Sequence, residues 1–555
     1  MVVQPTWAQS TDDRSTSPPG EQITEPRPGA NAAAGETKPD RDTPRETRLE
    51  DLLASEEELE KYRKSLPVDL AEQRRQRDET VWKNEVEAQR YERAIVRMWD
   101  RLLEEERRGN GNAYSVFRQL GFDRIVIGQL DRTENLDHDI RVHHLVGPTT
   151  TFNRSEWDSL LTRFEHDGYR VIQSEWHHAE FDAPATGPAR SKITFAIYVN
   201  RLEPRERVVV EGSLRVVWRA VLDDVDVPIP EHVEATDVRV WVRPGNVPFR
   251  EVLTIDHAQR DTRSGIQPVI AHDVDGDGLS EIMLGGSNEL LWNRGQCTFA
   301  SDKLCTHREP IFEVGLVADL DGDAISDLIV PGLQGDLLMY RGDPNGRFST
   351  APLGKARGGG PLRQPQVITA GDIDNDGDLD LWIGQYKISY VGGQMPTPYY
   401  DANDGFPAYL LINDGHGKFQ PMTEESGLGA KQFRRSYGGV FVDLDGDRDL
   451  DLLVVSDFSG IDVYKNDGRG YFTDVTNQIV DDRHIFGMSA SLADYDLDGS
   501  LDFFVTGMAS TTARRLEYMK LGRRDRPDIH MMRSRMGYGN RMYLSRGGRF
   551  EEPEF

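Results

Sequence analysis

Apolar positions follow three rhythms along this 555-residue chain. Between residues 78 and 108 they recur every three to four places, as Ala88, Tyr91, Ile95, Met98/Trp99 and Leu102, which predicts an amphipathic helix. Residues 48–64 carry similar patterning, which stops before Pro67. A further helix is expected over 155–167, with Ser155 as its cap, Asp158 at the third position and Gly168 just past its end. The period then changes to two. Ile193, Phe195, Ile197 and Val199 face one way, followed by Val208/Val210, Leu214/Val216/Trp218 and Val238/Val240/Val242. Helices followed by a long antiparallel meander predict an α+β domain over 111–247, shaped as a cone or roll, behind a helical segment over 48–110.

The third rhythm fills the second half. Five short apolar runs recur: Ile282-Met283-Leu284, Leu328-Ile329-Val330, Leu381-Trp382-Ile383, Leu452-Leu453-Val454 and Phe503-Phe504-Val505. Their length and β-branched or aromatic content predict buried strands. Each directly follows an acidic loop with carboxylates at positions one, three, five and nine. The loops are Asp273/Asp275/Asp277/Glu281, Asp319/Asp321/Asp323/Asp327, Asp372/Asp374/Asp376/Asp380, Asp443/Asp445/Asp447/Asp451 and Asp494/Asp496/Asp498/Asp502. Four carboxylates within nine residues repel one another unless a hard cation lies among them. Ca²⁺ suits that role, since it takes six to eight oxygen ligands at about 2.3–2.6 Å in flexible geometry. An EF-hand is excluded: it needs a bidentate Glu at position twelve, and here that position is Leu284, Val330, Ile383, Val454 or Val505.

Each apolar run is followed in turn by a hairpin signal. The segments are Trp292-Asn293-Arg294-Gly295 with Phe299, Tyr340-Arg341-Gly342 with Phe348, Leu411-Ile412-Asn413-Asp414-Gly415 with Phe419, Tyr464-Lys465-Asn466-Asp467-Gly468 with Phe472, and Tyr543-Leu544-Ser545-Arg546-Gly547 with Phe550. Tight hairpin turns need positive φ, which Gly and Asn supply. One unit thus reads as acidic loop, inner strand, second strand, Gly turn and outer strand. The loops begin 46, 53, 71 and 51 residues apart, and about four strands in such a period mark a β-propeller blade. The expected fold is mainly β, a propeller of about five blades over 248–555. Phe249-Arg250-Glu251-Val252 mirrors Phe472-Thr473-Asp474-Val475, and Phe550-Glu551-Glu552-Pro553 repeats the element. Five blades could close a ring, or the abrupt end at Glu554-Phe555 marks a piece of a longer array.

At these residues, from about 249 to the end, the chain resembles the FG-GAP/VCBS repeat family. More narrowly it is similar to the ASPIC/UnbV-associated branch, which includes bacterial exported proteins and cartilage acidic protein. The stretches that carry this are Phe486-Gly487-Met488-Ser489-Ala490 running into Asp494-Tyr495-Asp496-Leu497-Asp498-Gly499, and Tyr464 through Thr476. The resemblance implies calcium-stabilised blades like those of integrin α-subunit propellers, and it does not imply an enzymatic activity.

The five loops are unequal. Position six is Gly278, Gly377 and Gly499 in sites one, three and five, where a sharp turn wants positive φ. Ala324 and Arg448 take that place in sites two and four, at a cost of about 1 kcal/mol, and Arg448 adds a competing charge. Up to five Ca²⁺ are expected, with sites one, three and five favoured. Position seven (Leu279, Ile325, Asp378, Asp449, Ser500) would add its backbone carbonyl. Equivalent sites repeated without a His or nucleophile point to structural calcium rather than a catalytic metal.

Five Ca²⁺ would bring the formal charge from −28 to −18, so part of the acidity has its own counterion. Such acidity argues against nucleic acid or anionic membranes as partners, and no stretch approaches the 18 apolar residues of a bilayer span. Cys297 and Cys305 form either a local disulfide or two thiols. Residues 1–10 resemble the end of a secretory signal without its charged and apolar regions, and 11–47 read as a disordered tail. A periplasmic, cell-surface or extracellular location is expected, where millimolar calcium fills weak loops.

His177-His178, beside Glu175 and Glu180, is the one cluster that tempts a catalytic reading. Neighbouring strand residues point to opposite faces, so one core-facing and one exposed histidine is the expectation. Arg341-Gly342-Asp343 has the form of an adhesion triplet, but it falls on the turn that carries Gly in every repeat. Two insertions, 386–407 with Tyr390, Tyr399 and Tyr400, and the basic 514–541, are candidate ligand surfaces. The favoured function is an exported binding or adhesion module for a protein or glycan. The alternative is a propeller-type polysaccharide lyase or glycosidase, which would need acidic residues outside the metal loops converging in the central funnel.

Overall fold

The computed structural model describes residues 76, 78–108, 112–222, 227–245, 249, 251–255, 266–305, 314–332, 334–348, 352, 355–356, 360–387, 400–521 and 527–553. The expected helix at 48–64 and the tail over 1–47 lie outside these residues.

The first part is a six-stranded sheet carrying three helices: α1 (Lys83–Arg107), α2 (Ala113–Arg118) and α3 (Arg154–His166). The stripe expected on α1 is the buried one, with Ala88, Ile95 and Leu102 inward. Helix α3 starts earlier than the Ser155 cap expected from sequence. Asn153 is the N-cap, its Oδ1 accepting from Glu156 N at 3.1 Å while Glu156 Oε2 accepts from Asn153 N at 2.9 Å. That reciprocal pair satisfies two orphan donors and outcompetes a lone serine. Gly168 follows the helix at φ +86, as expected.

The sheet contains β1 (Arg124–Asn135), β2 (Arg141–Phe152), β3 (Tyr169–Asp182), β4 (Arg190–Arg201), β5 (Glu206–Leu222) and β6 (Pro228–Pro244). Their order is β1-β2-β6-β5-β4-β3, and β1 also pairs in parallel with β6. The expected meander is β4 to β6, and β3 extends it on the β4 side. In register, Ile193 faces Leu214, Ile197 faces Val210 and Val210 faces Val240, so the predicted apolar faces coincide. His178 is buried, with Nε2 at 2.9 Å from Ser191 Oγ, and burial pushes its imidazole down to about 3. His177 is half-buried rather than exposed, with the Trp99 ring packed on it at 5.7 Å.

Five four-stranded antiparallel sheets follow, each in chain order. Blade one is β7 (Val269–His272), β8 (Glu281–Leu284), β9 (Glu289–Asn293) and β10 (Phe299–Lys303). Blade two is β11 (Leu316–Ala318), β12 (Asp327–Pro331), β13 (Leu337–Tyr340) and β14 (Lys355–Ala356). Blade three is β15 (Pro365–Gly371), β16 (Asp380–Gln385), β17 (Tyr409–Asn413) and β18 (Phe419–Pro421). Blade four is β19 (Arg435–Val442), β20 (Asp451–Asp457), β21 (Gly460–Asn466) and β22 (Phe472–Asp474). Blade five is β23 (Gly487–Ala493), β24 (Asp502–Gly507), β25 (Arg541–Arg546) and β26 (Arg549–Glu551).

The acidic loops join first to second strands, so the strand after each loop is not the innermost one. The first strands of consecutive blades approach each other, β15 to β19 and β19 to β23 among them, and form the inner edge. The second strands are buried on both faces, and period two decides which neighbour each residue meets. Leu328 and Val330 pack toward blade one while Ile329 packs toward blade three. Likewise Leu452 and Val454 join the blade-three core, and Leu453 and Val455 the blade-five core. The terminal Phe550 lies in strand β26 as expected, but residues 251–255 form no strand. Cys297 and Cys305 are free thiols, the latter buried and pushed up to about 12.

Candidate metal centres and the opposite face

The five acidic loops share one hydrogen-bond pattern. The position-one carboxylate accepts two backbone N–H groups: Asp273 from Gly276 and Gly278, both at 2.9 Å, and Asp443 from Gly446 at 2.8 Å and Arg448 at 3.0 Å. Position five closes the next turn, as where Asp277 Oδ1 accepts from Leu279 N at 2.8 Å and Asp498 Oδ1 from Ser500 N at 2.8 Å. The position-nine carboxylate is buried beneath the loop and bridges it to the third strand. Asp380 accepts from Ile373 N at 3.3 Å and Asn413 N at 2.8 Å, and Asp502 from Tyr495 N at 2.8 Å and Ser545 N at 2.7 Å.

Position six is left-handed in every loop: Gly278, Gly377 and Gly499, but also Ala324 at φ 66 and Arg448 at φ 77. The residues expected to be strained there are so. Position four is left-handed as well, including Asn375 at φ 61 and Leu497 at φ 61, a requirement sequence reading overlooked.

Carboxylates at positions one, three and nine converge in four loops: Asp273/Asp275/Glu281, Asp319/Asp321/Asp327, Asp443/Asp445/Asp451 and Asp494/Asp496/Asp502. In the remaining loop the converging set is Asp372, Asp374 and Asp376. Within each set one oxygen per residue lies within 4.8 Å of the others. The residues fit a hard divalent cation. Asp321 Oδ1 and Asp374 Oδ1 are buried without a hydrogen-bond partner, and a bound cation would satisfy them. Burial also pushes Asp327 up to about 6, Asp380 to about 7 and Asp451 to about 6, against backbone N–H groups that pull the other way. Calcium would supply charge neutralisation there. The chain itself supplies the turn, the buried anchor and the convergence.

Three loops contain a rival cation that sequence reading did not single out. Arg341 bonds Asp321 and lies 3.5 Å from Asp323, Lys465 bonds Asp445 and lies 3.1 Å from Asp447, and Arg546 bonds Asp496 and Asp498. All three side chains leave the end of the third strand. Arg546 stands one place after Arg341 and Lys465 in the repeat; in sites one and three the place of Arg546 is taken by Arg294, which lies over Trp292 at 5.5 Å, and Asp414, and the place of Arg341 and Lys465 by Trp292 and Ile412. Site five therefore differs from sites one and three, although all three have Gly at position six. Arg341 of the Arg-Gly-Asp triplet is engaged by site two, and Asp343 Oδ1 accepts from Asn345 N at 2.8 Å, so turn formation accounts for the triplet.

The 386–407 and 514–541 insertions both join second to third strands, opposite the metal loops. They meet above blade four. Ala402, Phe458, Phe486 and Met536 form one buried cluster with Tyr400 packed against it, and Ala402 N donates to Phe458 O at 3.1 Å. Tyr400 thus covers a core edge, while Tyr390 and Tyr399 lie outside the described residues. Three carboxylates on this face, Asp401, Asp404 and Asp462, are paired with basic groups. Arg434 bonds Asp462 at 3.0 Å and Asp401 at 2.9 Å, and Arg435 bonds Asp404 at 2.8 Å. Asp457, pushed up to about 6 by burial, accepts from Tyr386 OH at 2.7 Å. The basic insertion forms helix α4 (Thr511–Tyr518), which packs on β3 rather than facing solvent. Its fully buried Arg515 bonds Glu85 at 2.6 Å, Glu92 at 2.9 Å and His178 O at 3.0 Å.

Residues 319–383 and 443–505 each match the model of the FG-GAP-like repeat, and both stretches run from one acidic loop to the second strand of the following blade. This chain carries FG-GAP repeats. No curated protein matches the sequence. Among solved structures, virginiamycin B lyase from Staphylococcus aureus aligns at 8% identity and TM-score 0.29, covering 70% of this chain and 89% of that one. BBS1N in complex with ARL6DN aligns at 11% identity and TM-score 0.26, covering 60% and 94%. The extracellular domain of the putative one component system BT4673 from B. thetaiotaomicron aligns at 11% identity and TM-score 0.29, covering 77% and 55%. At those scores no functional argument passes from them to the FG-GAP chain.

Proposed function

We propose that this FG-GAP repeat protein is an exported binding module, held rigid by structural calcium and recognising a protein or glycan on the face opposite its metal loops. The observation that carries this reading is the division of labour between the two ends of the blades. One end repeats a single acidic turn whose carboxylates converge, and the other is irregular, with two insertions interlocked over blade four. Insertions in repeats often carry recognition. Tyr538 is 55% exposed there, with Arg514 and Arg535 near its ring, a surface suited to stacking on a sugar or an apolar side chain. The ion-paired state of Arg434, Arg435, Asp404 and Asp462 favours a rigid scaffold over a pair of working carboxylates. No helix among the described residues is long and apolar enough to cross a membrane.

The test has two arms. Calcium should raise the melting temperature of the protein and a chelator should lower it. A glycan and protein binding screen should then give a ligand whose retention falls at least about tenfold in Tyr538→Ala, the loss expected of an aromatic anchor. A melting curve indifferent to calcium would remove the first half of the reading, and a ligand unaffected by changes on this face would remove the second.

A further inference from the structure

The predicted apolar faces of β4, β5 and β6 do not meet a filled core. They line a cavity of about 840 Å³ between the sheet and helices α1 to α3. Packing voids in proteins seldom exceed a water or two, whereas small-molecule pockets run from about 300 to 1,000 Å³. The walls are almost wholly aliphatic and aromatic, with Phe195 and Val240 among them. Two features depart from that.

The first is Trp176, 7% exposed, whose indole N–H has no hydrogen-bond partner. The other two indoles in the lining are satisfied: Trp157 donates to Phe117 O at 3.4 Å and Trp218 to Ser191 Oγ at 2.8 Å. A donor buried without an acceptor marks a wall that no protein group fills, and the second feature is the one that selects the head group of an occupant. The second is charge. Arg97 and Arg101, one turn apart on α1, are the charged side chains of the lining, and among the described residues that lining contains no carboxylate. Arg97 is exposed and Arg101 half-buried, so the positive end of the cavity lies toward solvent.

We infer that the α+β domain binds a single-headed apolar carboxylate, of which a long-chain fatty acid is the simplest. Its apolar body fills the hollow and its carboxylate meets Arg97 and Arg101. This site is separate from the metal loops and from the insertion face, and it does not depend on the function proposed above.

The experiment uses the full chain in calcium, stripped of bound lipid, titrated with the fluorescent fatty acid cis-parinaric acid. Saturable binding of one molecule is expected, with energy transfer from tryptophan. Ala235→Trp and Val240→Phe, which fill the hollow, should each weaken binding by about tenfold or more while preserving the circular dichroism spectrum. Arg101→Glu, on the rim, should weaken the acid about tenfold yet leave the affinity for the matching fatty alcohol within about twofold. The inference is overturned if the stripped protein shows no saturable binding or if folded cavity-filling variants bind as well as the parent. It is likewise overturned if Arg101→Glu weakens acid and alcohol equally.

Discussion

Asn466 shows how much a single side chain contributes here. Its Nδ2 donates to Ile373 O of the preceding blade at 2.7 Å and to Leu450 O of its own at 3.1 Å, and Asn413 makes the same clasp to Leu320 O at 2.9 Å. Hairpin chemistry explains a Gly in these turns but not the Asn two places before it, because the acceptor belongs to another repeat. Sequence reading therefore located the residue and missed its partner. Asn466→Ala should cost roughly 1–3 kcal/mol, since two carbonyls lose their donor in a buried setting, and chemical denaturation would measure it. His178 gives a pH signature. Its folded pKa of about 3 lies below the ordinary value near 6.5, so the unfolded chain takes up the proton first. The stability it preserves is complete above about pH 6.5 and is lost as pH falls toward 3, roughly 2 kcal/mol by pH 5. His178→Gln should flatten that slope in denaturation curves at pH 7 and pH 5.

At the level of elements, legibility followed burial. The second strands β12, β16 and β20 are enclosed on both sides, so their apolar runs stood out. The first strands did not, because β15, β19 and β23 mix Gly, Ser and Thr with apolar residues along an inner edge of mixed exposure. Strands β1 and β2 were also missed. Register shifts at Gly128/Leu130 and Leu130/Arg132 break the alternation that would have announced them. The acidic loops were readable in their ligands and their position-six strain but not in their rivals, which lie fourteen or more residues downstream. At site four a bound cation must displace the Lys465 ammonium from Asp445 and Asp447. Lys465→Met should tighten calcium there by roughly fivefold to tenfold, the effect of removing one contact charge near a surface. Titration calorimetry against the parent would resolve it. Arg448→Gly should add stability of about 1 kcal/mol by relieving left-handed strain, visible in a thermal melt with chelator present.

On the scale of the whole molecule, the basic insertion is a fastener. Arg515 is fully buried with Glu85, 5% exposed, and Glu92 beside it. Composition alone marked 514–541 as a surface, because nothing in a linear reading matches a cation to acids more than four hundred residues earlier. Arg515→Met should destabilise the protein by roughly 3–5 kcal/mol, leaving a carboxylate buried without a counterion. Adding Glu85→Gln and Glu92→Gln to that variant should recover most of the loss in a thermal melt. If the triple variant is as unstable as the single one, shape rather than charge holds the contact.

Glu85 and Arg515 stand 430 positions apart. During synthesis from the amino terminus, the acidic pair on α1 emerges long before its guanidinium exists. Until the blade-five insertion has been made, those two carboxylates lack their buried partner and the helix lacks one of its supports. Only a molecule that has been translated past Arg515 can hide them, so protection of this corner from protease or hydrogen exchange would report that synthesis has passed the blade-five insertion.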